Sequence, residues 1–383
     1  MGFMGYLRAD GRVGVRNHIV VMSSVNCCNA VVEQIGRAVP EVKTLTHTEG
    51  CGRGPLDVAM SLRTLANTAA HPNVAGVILI GLGCEVIKTG VIASRVGDGR
   101  PVESIGIQQS GGTPNTVARG IETAKRLVAE AAKLERQEFG FEHLTLAMEC
   151  GGSDAFSGLT ANSSVGVVAD WVVEHGGKVI LSEVTEFLGT EAIVSERCAN
   201  EEVRGKLLDL LTQQDKNVKQ ALGPLAHTVI SPGNQKGGLS SIQEKSLGCI
   251  KKGGTTQIQE VLEYADGPSK PGLSVMDTPG SDIFSITGMI AGGAQIVLFT
   301  TGRGSPAGSP IAPVVKVASN SRLFEGMPDD MDFDAGRIVD GMSLPDCGAE
   351  LVDFVRAVAS GELTAPERTG TNLFAIHTVG RAF

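Results

Sequence analysis

Val74-Ala75-Gly76-Val77-Ile78-Leu79-Ile80-Gly81-Leu82-Gly83-Cys84-Glu85 reads as one buried strand running into a glycine turn. An uncharged, β-branched run bounded by glycines fits a strand covered on both faces, the situation of strands in parallel sheets. The same unit recurs on either side of it. Residues 18–24, 42–46 and 102–107 are further short apolar runs, and amphipathic helical patterns separate them at 30–39, 57–70 and 116–134. This alternation predicts an α/β protein with a largely parallel sheet.

A charged stretch, Lys133-Leu134-Glu135-Arg136-Gln137-Glu138, then interrupts the pattern. The alternation restarts with strands at 144–149 and 178–184 around a helix at 165–175, followed by a polar helical stretch at 186–222. The expectation is therefore two α/β domains, 1–138 and 139–383, with the active site in the cleft between them. Polar loops at 231–240 and 302–313 follow. Residues 283–302 form the longest uncharged stretch, but Gly292, Gly293 and Gln295 break it into a helix, a turn and a buried strand rather than a membrane span.

Composition narrows the function. The chain has 33 Lys and Arg against 42 Asp and Glu, a net charge of −9, and no basic run, which argues against nucleic acid as a partner. Its 50 glycines in 383 residues are roughly twice the usual share of about 7%, which suits turn-rich small-molecule sites. The start carries no apolar segment of signal-peptide length, so the sequence reads as cytoplasmic. In a reducing compartment its eight cysteines are ligands, nucleophiles or core residues rather than disulfides.

Four of those cysteines share a position. Cys27, Cys51, Cys84 and Cys150 each stand just beyond the carboxyl end of an expected strand, the edge where open α/β sheets bind ligands. One reading is that of small hydrophobes in tight turns. The sharper reading is an iron or iron–sulfur site held by Cys51, Cys84 and Cys150, with Cys27, Cys249 and His47 nearby. Cys28, Cys198 and Cys347 have no such context and read as structural, as do His18, His143, His175, His227 and His377. His47 is a ligand, a base or a core histidine. Glu85 is a ligand, a base or a helix N-terminal charge.

Three loops carry dense polar groups between glycines. In the first, Ser153, Asp154, Ser157 and Asn162 follow Glu149-Cys150-Gly151-Gly152 and could reach substrate hydroxyls. The second, Ser231-Pro232-Gly233-Asn234-Gln235-Lys236, offers Asn234 and Lys236, with Lys245 downstream. In the third, Arg303 follows a buried strand, where a bidentate grip on a carboxylate is favoured. Arg53, between Gly52 and Gly54, is a further anion candidate. Gly81-Leu82-Gly83 lacks the third glycine of a dinucleotide loop, and Gly50–Gly54 lacks the Lys-Ser/Thr ending of a phosphate loop.

Taken together and in order, Gly11–Asn17, His47–Cys51, Gly81–Glu85, Glu149–Asp154, Ser231–Asn234, Lys245–Cys249 and Thr301–Gly304 resemble the altronate/galactarate dehydratase family over nearly the whole chain. The resemblance implies an iron-dependent lyase that acts on a small 2-hydroxy acid, with Glu85, Lys245 or His47 moving the proton. It departs from the sugar-acid enzymes in opening almost directly into the catalytic part, without a small SAF-type domain in front. That implies a split large subunit which pairs with a small SAF-domain subunit in a hetero- or homo-oligomer, with (2R)-3-sulfolactate as first choice of substrate and altronate or galactarate as the alternative. Two other readings use the same residues: an iron–sulfur electron carrier or redox sensor, and a nicotinamide-dependent dehydrogenase.

Overall fold

The computed structural model describes residues 2–223 and 230–383. His227 lies outside the described residues. The chain opens with β1 (Phe3–Leu7) and β2 (Val13–Gly14), then builds β3 (His18–Ser23), helix α1 (Asn29–Ala38), β4 (Lys43–Leu45) and helix α2 (Pro55–Ala69). It continues through β5 (Val74–Gly81), α3 (Thr89–Val96), β6 (Val102–Gly106) and α4 (Thr113–Ala131). Strands β4-β3-β5-β6 form a four-stranded sheet, parallel throughout.

After β7 (Gln137–Phe139), which pairs with β1, come β8 (Thr145–Cys150), α5 (Ala161–Glu174) and β9 (Lys178–Leu181). The remaining strands are β10 (Ile258–Leu262), β11 (Gly272–Met276), β12 (Ile296–Thr301), β13 (Val314–Ala318) and β14 (Phe333–Asp334). They complete a seven-stranded parallel sheet in the order β10-β11-β9-β8-β12-β13-β14. The fold is α/β with two largely parallel sheets. Among the described residues, no helix is long and apolar enough to cross a membrane.

Side-chain alternation explains how the sheets stack. In β5, Ile78 and Ile80 face α1 and α4, where they meet Val32, Ile35 and Leu127. Val77 and Leu79 face the opposite way into a core that also takes Ala147, Ile180, Val297 and Phe299 from the seven-stranded sheet. Leu65 of α2 and Ile286 and Met289 of the helix Asp282–Ala291 lie in that shared core. The far face of the second sheet, with Leu146, Met148 and Leu298, is covered by α5 and the helix Leu344–Ala359.

The two sheets meet at their amino ends. His71 and Asn73 precede β5, and they bond Ala294 O at 3.0 Å and Gln295 O at 3.0 Å, just ahead of β12. The amino ends of both sheets are thus stitched together. The expected polar helical stretch at 186–222 is instead three pieces. A 3-10 turn at Val184–Phe187 and a short helix at Glu191–Glu196 come first. Glu201–Leu222 then starts afresh because Asn200 caps it, accepting from Val203 N at 3.0 Å.

Candidate active site

At the carboxyl edge of the seven-stranded sheet, β8 delivers Cys150 into a buried cluster. Its Sγ lies 3.1 Å from Glu186 Oε2 and 3.5 Å from Cys249 Sγ, and it accepts from Lys252 Nζ at 2.9 Å. Lys252 also pairs with Glu186 at 2.9 Å, and Lys245 holds the other Glu186 oxygen at 2.9 Å. Local structure explains the convergence. The helix Ile242–Cys249 is capped by Ser241, and it carries Lys245 and Cys249 four residues apart on one face. The turn Ile250–Gly253 then brings in Lys252. Gly151 has no room for a side chain, since a Cβ there would stand 2.3 Å from Asp282 Oδ2 and 2.7 Å from the Phe299 ring.

Electrostatics follow from these contacts. The hydrogen bond from Cys249 and the nearby ammoniums hold the Cys150 thiol below its usual range, against its burial and the charge of Glu186. Cys249 is driven well up by burial and by its bond to Cys150. Burial alone would raise Glu186, but Lys245 and Lys252 outweigh it and keep the carboxylate ionised. Lys245 is raised by Glu186, so it is a firmly held ammonium.

A second buried group adjoins the first. Carboxylate oxygens of Glu149, Glu183 and Asp282 lie within 4.8 Å of one another. Burial pushes Glu149 up to about 7, and burial with the Glu149 charge raises Glu183 well above the usual carboxylate range. Glu183 also holds a left-handed backbone at φ 60°, uncommon for a residue with a side chain. Cys150, Glu183, Glu186, Lys245, Asn234 and Asp282 all line one cavity of about 270 Å³. A neighbouring hollow of about 290 Å³ shares Lys245 and is lined by Ser153, Asp154, Ser157, Asn162 and Cys249.

Most of the polar loop residues are already engaged. Asp154 Oδ1 accepts from Ser157 N, Ser157 Oγ and Ser319 Oγ, and its Oδ2 accepts from Asn320. Asn162 donates to Gly248 O and accepts from Thr300. Asn234 donates to Ser153 O and accepts from Ser231. These side chains brace the loops that wall the two hollows, and Ser153 donates to Cys150 Sγ at 3.6 Å. Arg303 lies beside Gly152 and Gly233 at the cavity rim. Arg303 and Lys236 are exposed, and neither has an acceptor among the described residues.

Four of the remaining cysteines lie at the other edge. Cys27, Cys51 and Cys84 are exposed, on loops past β3, β4 and β5. The loops clasp one another: Asn26 N donates to Glu49 O at 2.9 Å and Val86 N to Gly50 O at 3.4 Å. Between them Cys28 is pushed up to about 12 by burial and by the charges of Glu85, Cys27 and Cys84. Three candidates of this edge are spent internally. His47 donates from Nε2 to Ser23 O at 2.8 Å and accepts from Glu49 N, while Glu85 accepts from Gly83 N at 2.6 Å and from Ser24. Arg53 grips Glu49 with two bonds, at 2.7 and 3.0 Å. Cys198 and Cys347 lie apart from both edges.

The structure thus joins Cys150 with Cys249 and Lys245, and it leaves Cys27, Cys51 and Cys84 on three loops of the other sheet. Glu183, Glu186 and Lys252 were not foreseen. The signal for the two glutamates is the one that marks the cysteines, since both follow the carboxyl end of β9. The two edges offer different donors to a metal. The Cys150–Glu186–Cys249 group could hold an ion, but ammoniums 2.9 Å away already neutralise it. Glu149–Glu183–Asp282 is a hard oxygen set. Cys27, Cys51 and Cys84 are soft donors with no ammonium bonded to their sulfurs among the described residues, and their sulfurs do not form one of the close ligand groups.

Residues 141–382 match the family described as D-galactarate/altronate dehydratase, C-terminal, and residues 5–132 match D-galactarate dehydratase/altronate hydrolase, second domain. Altronate dehydratase of Bacillus subtilis (strain 168) is 34% identical over 389 residues, covering 99% of this chain and 78% of that protein. (2R)-Sulfolactate sulfo-lyase subunit beta of Chromohalobacter salexigens is 33% identical over 378 residues, covering 98% and 96%. Galactarate dehydratase (L-threo-forming) of Escherichia coli (strain K12) is 35% identical over 383 residues, covering 94% and 73%.

Proposed function

The chain belongs to the D-galactarate/altronate dehydratase family, and on that premise we propose that it is a lyase that eliminates a group from a 2-hydroxy carboxylate to give a 2-oxo acid. The observation that carries the reading is the cavity of about 270 Å³ on which the Cys150 thiol, a buried carboxylate pair and a held ammonium converge. Lys245, which Glu186 keeps charged, is a fixed cation facing the leaving group and stabilises the negative charge that develops there. Glu183 faces the cavity, and with Glu149 behind it, pushed up to about 7, it forms the carboxyl pair that takes up the proton. Arg303 takes the substrate carboxylate, and Lys236 at the rim answers a second anionic group. Asp154, Ser157, Asn162 and Asn234 position the loops. His47, Glu85 and Arg53 serve the thiol edge.

Cys27, Cys51 and Cys84 would hold iron in this reading, and the iron would supply Lewis-acid chemistry. The units 1–138 and 139–383 would contribute one centre each. Free cations at the rim suit a substrate with two anionic groups. We therefore keep (2R)-3-sulfolactate as first choice, with sulfite leaving, and the sugar acids as alternative, since identity to both kinds of relative is equal. The relative named as a subunit beta supports a partner subunit, which in this reading is small, of SAF type and cytoplasmic like the chain itself.

The test is an anaerobic turnover assay of the iron-loaded chain, with and without a small SAF-type subunit, on (2R)-3-sulfolactate, altronate and galactarate. Sulfite with pyruvate is the expected result. A 2-oxo-3-deoxy sugar acid without sulfite makes it a dehydratase. Silence on all three removes these substrates.

A further inference from the structure

One segment crosses from the seven-stranded half to the thiol edge. Leu373 N donates to Gly308 O at 3.1 Å and anchors the start of the final stretch. Ile376 is buried in the core shared by the two sheets, and the His377 ring stands 5.3 Å from Tyr264 and 5.5 Å from Phe284. The chain then reaches α2. Val379 N donates to Asp57 Oδ1 at 2.8 Å and Gly380 N to Asp57 Oδ2 at 3.0 Å. Arg53 Nη1 donates to Gly380 O at 2.9 Å, and Phe383 N donates to Gly52 O at 3.0 Å.

Three features make this more than a tail lying on a surface. Asp57 is only 2% exposed, and among the described residues no cation pairs with it, so a buried carboxylate spends its charge on two backbone N–H groups of the tail. Both contact points exclude side chains: a Cβ on Gly380 would stand 2.5 Å from Asp57 Oδ2, and one on Gly52 would stand 2.5 Å from Phe383 O. The segment held is Gly52-Arg53, directly beside Cys51, in which Gly52 is left-handed at φ 65° and Arg53 is also forked to Glu49.

We propose that residues 373–383 and Asp57 form a latch that fixes the Cys51 loop, and so sets where the Cys51 thiol stands relative to Cys27 and Cys84. Asp57 is a positioning residue in this arrangement; it touches no thiol. The latch ties the loop to the half that carries Cys150, so the relative placement of the two centres depends on it. The role given to Cys51 rests on the iron reading above, whereas the latch itself does not.

The experiment compares Asp57→Asn and a chain ended after Thr378 with the full chain, all iron-free, by amide hydrogen exchange. The amides of Asn26, Glu49 and Val86 report the clasp of the three thiol loops, because they bond Glu49 O, His47 Nδ1 and Gly50 O. Losing a charge-assisted bond should speed their exchange roughly 10- to 100-fold, with the amides of β8 and β12 unchanged. If Asp57→Asn does not fold, the shortened chain gives the answer. Release of the Val379 and Gly380 amides in Asp57→Asn, with Asn26, Glu49 and Val86 exchanging as before, overturns the latch. Cobalt(II) titration of the same proteins, read by thiolate-to-metal charge-transfer absorption, separates the two readings. Weaker binding in the variants supports both. An absent signal in the full chain sinks the thiol metal site and leaves the latch to the exchange data.

Discussion

Two sheet edges of this molecule carry cysteines in the same local position, yet their surroundings make them chemically different. At the edge of the four-stranded sheet, Cys27, Cys51 and Cys84 are exposed, on loops held by backbone bonds. At the edge of the seven-stranded sheet, Cys150 and Cys249 are buried 3.5 Å apart, with Lys252 donating to Cys150 at 2.9 Å. The first set has free sulfur lone pairs and suits a soft metal. The second is already neutralised and suits proton transfer or anion binding. A cysteine at a strand end is therefore a position, and its neighbours decide its chemistry.

The largest expected effect breaks the comparison outright. Cys51→Ser and Cys84→Ser should lose essentially all iron after anaerobic reconstitution while keeping the fold, and Cys249→Ser should retain it. Metal analysis and circular dichroism read this, and equal iron in all three variants ends the division between the edges.

Next comes the buried charge cluster. Lys252→Met leaves Cys150 and Glu186 facing each other, both buried, and should cost about 3–5 kcal/mol in urea unfolding. Lys245→Met should cost less, because its side chain is 18% exposed and water screens what remains. Glu186 is held below the ordinary carboxylate range by its two lysines, so its contribution is complete above that range and is lost as pH falls through its folded value. Unfolding of the wild type in mild acid should therefore steepen, and in Lys252→Met that steepening should shrink.

The last test concerns Lys316, in β13 of the seven-stranded sheet. Burial pulls its ammonium down to about 7 from 10.5, against Asp282 and Asp332, and its Nζ stands over the Phe299 ring at 3.3 Å without a hydrogen-bond partner among the described residues. Between those two pH values the unfolded chain binds more protons than the folded one, so stability should rise with pH across that window. Lys316→Met should flatten the rise, as read from urea midpoints near the two ends. An unchanged slope would show that Lys316 titrates normally.

Strand positions were legible from the sequence because hydropathy and glycine punctuation are local: the run ending at Ile80, and the helix–turn–strand of residues 283–302, need no partner to be recognised. The strand-end placing of Cys27, Cys51, Cys84 and Cys150 was legible for the same reason. Tertiary structure alone decided what each side chain faces. It set Cys150 against Cys249, 99 residues away, and against Lys252 and Glu186. It also spent Arg53 on Gly380 O and engaged Asp154 with Ser319, although both residues read as free in the sequence. Spacing along the chain encodes which face of an element a residue occupies. Charge pairing depends on which elements the fold lays side by side, and only packing of the two sheets fixes that.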